Sequence, residues 1–516
     1  MLNPRVGLLA CLLAAPALAT DPVFQVSFDK SVRETAATGR LVVYLIADTS
    51  LANKGAAPSD ISSEDPQPLY GIDVKDLAPG AAAEVGESAT SFPVKLSKLP
   101  AGGYRVQAVL DMHRDDSSWK REPGNLFSEP IAIRLNEVDA PERIALTLTK
   151  AVQSRKDRNV PGVEVFEIKS KLLSEFHHRD IMLRAGVVLP KDYDAKADRR
   201  YPAVYEVPGF GGDHSGANHA GVAPMLAGHC FWIVLNPESG NGHTLFADSA
   251  NNGPCGRALV EELVPALEAK YKLVPQTSAR LLRGHSSGGW STLWLALTYP
   301  DTFGASWSTS PDPVDFRKFQ LPDIYGQPNM YIAAGAAGAR GGMELPSYRQ
   351  AGREFMTIRQ ENSVEEVLGP DNTSGQQWDS WLAVWGPRNE RGNAAALYDP
   401  ATGALDHAVA ERFRQYDIAD LLRHDGGKYG LLLHQRVRIL VGDADNYYLN
   451  EAVALLKSDL DRLSFLQFPE GKRGYIKILK GRDHGSIFDT PEMRLIPADM
   501  LDHLKRHGYV QNPGTK

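Results

Sequence analysis

The run Gly284-His285-Ser286-Ser287-Gly288 fits the spacing G-x-S-x-G, and Gly289 follows it directly. Small residues at those places allow a turn tight enough to expose the central serine between a strand and a helix. Ser286 is that serine; Ser287 is not, because His285 stands where its own first glycine would be needed. The match is specific only in context, and the context is present. An apolar run at 279–283 precedes it, and Leu293, Leu295, Ala296 and Leu297 follow at helical spacing. A serine hydroxyl is a poor nucleophile until a base takes its proton, so a histidine and an orienting acid must come later. The apolar run 437–441 ends in Gly442-Asp443-Ala444-Asp445-Asn446, and the run 475–479 leads to Asp483-His484-Gly485. Acid and base therefore follow two successive strands, in the order Ser, Asp, His. His484 is the candidate base. His503 and His507 compete with it but lie on a C-terminal helical pattern and are expected to be solvated. Asp445 and Asp443 share the turn after one strand; Asp443 adjoins Gly442, where an Asp commonly serves backbone amides. The oxyanion of a tetrahedral intermediate also needs donors. The expected pair is the backbone N–H of Ser287 and that of Phe210, in the glycine-rich loop Pro208-Gly209-Phe210-Gly211-Gly212.

The elements that must position these groups come in two kinds. From about residue 163, strand-like and helical runs alternate, with apolar strands at 202–207, 231–235 and 279–283 and a helix at 256–273 carrying Leu259, Leu263, Val264, Leu267 and Tyr271. Two strands, 163–173 and 180–189, are expected to open this region. That alternation predicts a mostly parallel sheet with helices on both faces and a site at the strands' carboxyl ends. Residues 312–434 interrupt the rhythm as an insertion with a Gly-rich stretch at 335–342. It also has Trp378, Trp381 and Trp385 on one helix face; a packed core stripe is the preferred reading, an aromatic face over the site the other. Residues 20–155 differ: short strands at 24–28, 40–46, 91–96, 104–110, 131–135 and 143–148, separated by turn residues, predict a β-sandwich-like region. The boundary falls in the charged stretch 154–162.

Composition narrows the function. The chain has 516 residues, 43% hydrophobic and 23% charged, a globular balance. Net charge −7 and the lack of a Lys/Arg-rich run argue against a nucleic-acid binder held by phosphate contacts. Three cysteines are too few for a disulfide scaffold or a Cys-rich metal site. Residues 1–19, with Arg5, an apolar stretch too short to span a bilayer, and Ala17-Leu18-Ala19, predict a signal peptide. The mature chain is expected to be secreted or periplasmic, with no membrane span. Cys230 and Cys255 flank a strand from opposite ends, farther apart than the ~7 Å a disulfide can bridge, so both are expected to be free thiols.

Taken together, residues 201–212, the elbow 284–289 and the late Asp and His resemble the putative-esterase family of α/β-hydrolases, which includes esterase D, enterochelin esterase and feruloyl-type carbohydrate esterases. The resemblance covers about 163–510 and leaves 21–155 outside. It implies an α/β-hydrolase fold, Ser286 as nucleophile, His484 as base, and Asp445 as the acid by its distance from Gly442. The family's usual histidine before the glycine loop is Pro208 here, which removes a side chain that often braces that loop. The expectation is an exported serine esterase with no cofactor and no metal, acting on a small-molecule or carbohydrate ester. The alternatives are acyl transfer by the same triad and a non-catalytic binding protein on a hydrolase fold. A propeller-capped peptidase is disfavoured, since residues 20–155 are too few for several four-stranded blades.

Overall fold

The computed structural model describes residues 21–60, 62–112, 115–137, 143–154, 158–333, 342–463 and 473–511. The expected leader at 1–19, part of the expected boundary (155–157) and most of the Gly-rich stretch lie outside the described residues.

Eight strands form the sheet that carries the candidate residues: β1 (Val163–Ser170), β2 (Ile181–Val188), β3 (Ala203–Val207), β4 (Phe231–Leu235), β5 (Arg280–His285), β6 (Ala305–Thr309), β7 (Val437–Gly442) and β8 (Tyr475–Leu479). Their order is β1-β2-β4-β3-β5-β6-β7-β8. β2 is antiparallel to both its neighbours, and from β4 to β8 every pairing is parallel. Every residue of β4, β6 and β7 is buried, because helices cover both faces. On one side Leu293 and Leu297 of the helix Ser287–Thr298 and Val453 and Leu456 of the helix Leu449–Asp461 pack with Ile439 and Val441 of β7. On the other, Met493, Ile496, Met500 and Leu504 of the helix Pro491–Arg506 pack with Trp307 and Leu440. This is an α/β-hydrolase sheet.

Three expected elements end elsewhere. The strand from 163 stops at Ser170, whose side chain caps the helix Lys171–His177 by accepting from Leu173 N, while Glu262 accepts from the N–H groups of Lys171 and Leu172. The helix expected at 256–273 runs from Cys255 to Lys270 and passes through a wider π turn at Leu259–Leu263. Pro265, which has no N–H to give, sits just after that turn. The strand expected at 91–96 is Thr90–Phe92, ending at Pro93.

The region before β1 holds two sheets. One orders Ala82–Val85, Val23–Phe28 and Arg143–Leu148; the other orders Lys150–Ala151, Leu126–Phe127, Gly102–Asp111, Ala37–Ala47, Leu69–Leu77 and Thr90–Phe92, with Ile131–Leu135 also on Gly102–Asp111. Phe24, Val26 and Phe28 meet Leu41, Val43, Leu45 and Val106 between them, so the sheets face each other across a core. Strands 69–77 and 82–85 were not legible in the sequence: Asp and Lys dilute the alternation of the first, and the second is only Ala-Ala-Glu-Val. The larger sheet is covered on its second face too: Val42, Tyr44 and Val109 pack with Met356, Val364 and Val367 of the segment between β6 and β7. Arg40 Nε adds a hydrogen bond to Val367 O at 2.9 Å.

That intervening segment contains a hairpin (Pro346–Gln350 with Arg353–Thr357) and the helices Ile358–Leu368, Gln377–Trp385, His407–Phe413, Ile418–His424 and Gly426–Arg436. Trp378, Trp381 and Trp385 are buried and pack around Phe319, as a core stripe would. Cys230 and Cys255 are free and buried, and burial pushes both thiols up to about 12. His503 is not solvated as expected: it is buried, with Nε2 at 2.9 Å from Ser278 O, because its helix lays that face on the sheet. His507 is exposed. No helix among the described residues is long and apolar enough to cross a membrane.

Candidate active site

Ser286 lies between the end of β5 and the first turn of the helix Ser287–Thr298, with φ 58° and ψ −125°. A non-glycine residue rarely adopts that backbone, and surrounding bonds must enforce it. Ser286 N donates to Thr309 O at 3.0 Å, and its carbonyl accepts from Trp290 N at 3.0 Å and Asp312 N at 3.3 Å. The flanking glycines are needed for space: a Cβ on Gly284 would strike Gly288 O, and one on Gly288 would strike Val207 O at the end of β3.

Asp445 and His484 come from the loops after β7 and β8. His484 Nδ1 is 2.8 Å from Asp445 Oδ2, and Asp445 is fully buried. Its other oxygen accepts from Tyr447 N at 3.0 Å. Asp443, by contrast, is exposed and accepts from Gly481 N at 2.6 Å. The backbone of His484 is tied down as well, its N–H donating to Asn446 Oδ1 at 2.9 Å. The acid loop is clamped from outside by the inserted hairpin, where Arg349 Nε donates to Asp445 O at 2.9 Å and Asn446 Nδ2 donates to Arg349 O at 2.7 Å. Sequence reasoning missed this clamp, since nothing local in 346–350 points to residue 445.

Ser286 and His484 line one cavity of about 420 Å³ with Gly209, Phe210, Trp381 and Tyr447. Trp381 therefore serves both readings of the Trp stripe: it is core and it borders the cavity. The His285 ring packs 4.3 Å from that of His484, and its Nδ1 is 3.0 Å from Thr309 Oγ1. Burial, then the neighbouring His484 and Arg283, hold the His285 pKa well below the usual imidazole range, so it remains neutral. Beneath the elbow Asp312 accepts from Trp381 Nε1 at 2.7 Å and from the Ser287 hydroxyl. Burial pushes its carboxyl up to about 6. Asp312 was also missed; its signal was an acid three residues past β6, a third strand end between the nucleophile and the base.

The loop after β3 brings Phe210 to the cavity, while Ser287 opens the helix below it. A Cβ on Gly209 would lie 3.2 Å from His285 O, so the loop passes close over the elbow. Gly212 N donates to Gly209 O at 3.0 Å, closing a turn in which Gly211 has φ +74°. Pro208 offers no side-chain brace, but its carbonyl is held by another residue. His243 Nδ1 accepts from Leu245 N at 3.0 Å, so its proton is on Nε2, which donates to Pro208 O at 3.0 Å. Complete burial lowers the His243 pKa to about 4 and keeps this tautomer uncharged.

Residues 180–401, from β2 into the inserted segment, match the model of the family described as "Putative esterase". Over these residues the chain is similar to that esterase family. The esterase match contains β5, the elbow and the glycine loop, and stops before the acid and base loops. No curated protein matches the sequence. Among solved structures, the chain is similar to a ferulic acid esterase at 13% identity and a TM-score of 0.40, covering 66% of this chain and 97% of that one. It is similar to a fluorophosphonate-binding serine hydrolase of Staphylococcus aureus at 13% and 0.37, covering 66% and 98%. A third likeness, at 15% and 0.35, is to an S-formylglutathione hydrolase from Agrobacterium tumefaciens, covering 68% and 97%. Likenesses this distant say nothing of the esterase's substrate. Among the described residues, no cluster of three or more His, Cys, Asp or Glu side chains could hold a metal ion. The site is thus a strained serine, a histidine paired with a buried acid, and a glycine loop across one cavity.

Proposed function

We propose that this esterase hydrolyses carboxylic esters through an acyl-enzyme on Ser286. Ser286 Oγ attacks the ester carbonyl and gives its proton to His484 Nε2, the ring nitrogen left free by the Asp445 contact on Nδ1. Negative charge on the carbonyl oxygen is received by the N–H groups of Phe210 and Ser287. The tetrahedral adduct collapses, the C–O bond to the alcohol breaks, and His484 returns the proton to the departing oxygen. Water, deprotonated by His484, then attacks the acyl-serine and releases the acid. One observation carries the reading: Ser286, in a backbone conformation an ordinary serine avoids, shares a cavity with a histidine whose other nitrogen is engaged by a buried carboxylate. A cavity of about 420 Å³ suits a small acyl or aryl ester, or the esterified end of a larger carbohydrate.

The test is a panel of p-nitrophenyl acyl esters of rising chain length beside feruloyl and acetylated sugars, run with the parent and with Ser286→Ala. The parent should cleave part of the panel and take up one fluorophosphonate label on Ser286, and Ser286→Ala should lose at least ~10³-fold in turnover. Parent-like turnover by Ser286→Ala would end the acyl-enzyme reading.

A further inference from the structure

We propose that Arg121, in the β region that the esterase match leaves out, is a positioning residue for the oxyanion loop; this rests on the function proposed above. Arg121 closes a single helical turn, Trp119–Arg121, and its Nη1 donates to Gly211 O at 2.9 Å, at the far end of the turn that carries Phe210. The guanidinium itself is fixed. Nε donates to the two Asp116 oxygens at 2.9 and 2.7 Å, and Nη2 reaches Asp116 Oδ1 at 2.5 Å and Glu238 Oε2 at 3.0 Å. Glu238, just after β4, has a side chain only 2% exposed and also accepts from Ser117 Oγ at 2.6 Å. From the inserted segment, Gln376 Nε2 donates to Ser117 O at 3.2 Å. One short turn thus ties the sandwich, the sheet and the insertion together, and its remaining donor goes to the loop.

Two further observations make that donor necessary. The loop is open on this side: a Cβ on Gly211 would meet nothing within 4 Å, and Phe210 and Gly211 border a second cavity of about 380 Å³ shared with Trp119 and Arg121. The first end of the loop is held by His243 on Pro208 O, whereas Arg121 is the side chain on Gly211 O. Only a planar fork can hold two carboxylates with one edge and a carbonyl with another nitrogen; an ammonium presents one compact centre. Oxyanion donors help the reaction only when fixed before the charge forms, so a loop free to drift forfeits catalysis without losing the pocket.

The experiment uses the full chain with Arg121→Met and Arg121→Lys, assayed on the best ester of the panel. We expect kcat to fall about 10- to 100-fold for Met and less for Lys, with KM within about threefold, since ground-state binding does not need the oxyanion geometry. The fluorophosphonate labelling rate of Ser286 should fall in parallel. Ethylguanidine added to Arg121→Ala should restore part of kcat and do nothing for Ser286→Ala. If Arg121 variants fail to fold, Glu238→Gln loosens the anchor and keeps the donor; kcat should then drop about two- to fivefold at constant KM. Turnover within twofold of the parent in the folded Arg121 variants, a loss expressed in KM alone, or an unaltered Glu238→Gln where Arg121 variants do not fold would overturn the proposal. Those results leave Ser286 labelling intact, whereas failure of the acyl-enzyme reading would show as an active Ser286→Ala.

Discussion

The elbow around Ser286 and the loop around Phe210 face each other across one cavity but are held by opposite means. The elbow is fixed backbone to backbone: hydrogen bonds to Thr309, Trp290 and Asp312, and glycines pressed against β3 and the helix that follows. The loop is fixed by side chains from elsewhere, His243 at one end and Arg121 at the other. Close backbone approach leaves its mark as glycines in a short motif. A loop held by distant side chains leaves almost none.

The histidine–acid pair stands between these cases and gives the largest expected effect. Asp445→Asn should keep the shape and cost about 10⁴-fold in kcat, by analogy with loss of the charge that orients a triad histidine. Asp443→Asn, whose exposed side chain accepts from the Gly481 amide, should stay within about threefold. Steady-state kinetics on one good ester decides it, and the reverse ranking would transfer the acid role to Asp443.

The comparison itself breaks if the two walls respond alike to damage. Gly288→Ala drives a Cβ into Val207 O, a backbone atom that cannot swing away, so the elbow must deform. Turnover should fall by at least ~10², with roughly 1–3 kcal/mol of stability lost to overpacking. His243→Phe leaves the Pro208 carbonyl and the Leu245 N–H without their partner. It should cost a similar ~1–3 kcal/mol but only about tenfold in kcat, because Arg121 still holds the other end. Urea melts and kcat for both variants check this; equal kinetic losses would erase the distinction.

The smallest effect is one of pH. His243 and His503 both have pKa values lowered to about 4 by burial, so the unfolded chain, with histidines near 6.5, binds more protons than the folded one between those values. Their contribution is fully present above pH ~6.5 and is lost as pH falls toward 4. For each it is on the order of 3 kcal/mol at most. His503→Gln, remote from the cavity, should flatten the fall of Tm between pH 6.5 and 4 and leave kcat at pH 8 unaltered. A slope equal to the parent's would remove His503 from the account.

Much of the framework was legible because it is written in runs. β4 and β8 fall on the expected residues, as buried or parallel strands flanked by turns should. The meeting of Asp445 with His484 was legible at the level of strand ends, since a parallel sheet brings successive carboxyl ends to one edge. The failures have a common form. Asp312 had only its place after a strand end as a signal, and Arg349, His243 and Arg121 act over sequence separations that only the folded chain closes. His503 was misread because a helix of mixed polarity gives no sign of which polar residue its buried face will include.

The outer face of the sandwich deserves a last consequence. Val42, Tyr44 and Val109 share a core with Met356, Val364 and Val367, and Arg40 reaches across to Val367 O. Each apolar side chain in that seam contributes about 1.5–3 kcal/mol through burial. The seam works like a keel joint: Val364 and Val367 of the inserted helix stay wet until the earlier strands cover them, and synthesis delivers those strands first. Cutting the chain near residue 160 would expose a greasy strip on each fragment. The two regions should therefore melt in one calorimetric transition, and dividing the gene there would produce aggregates rather than two tidy proteins.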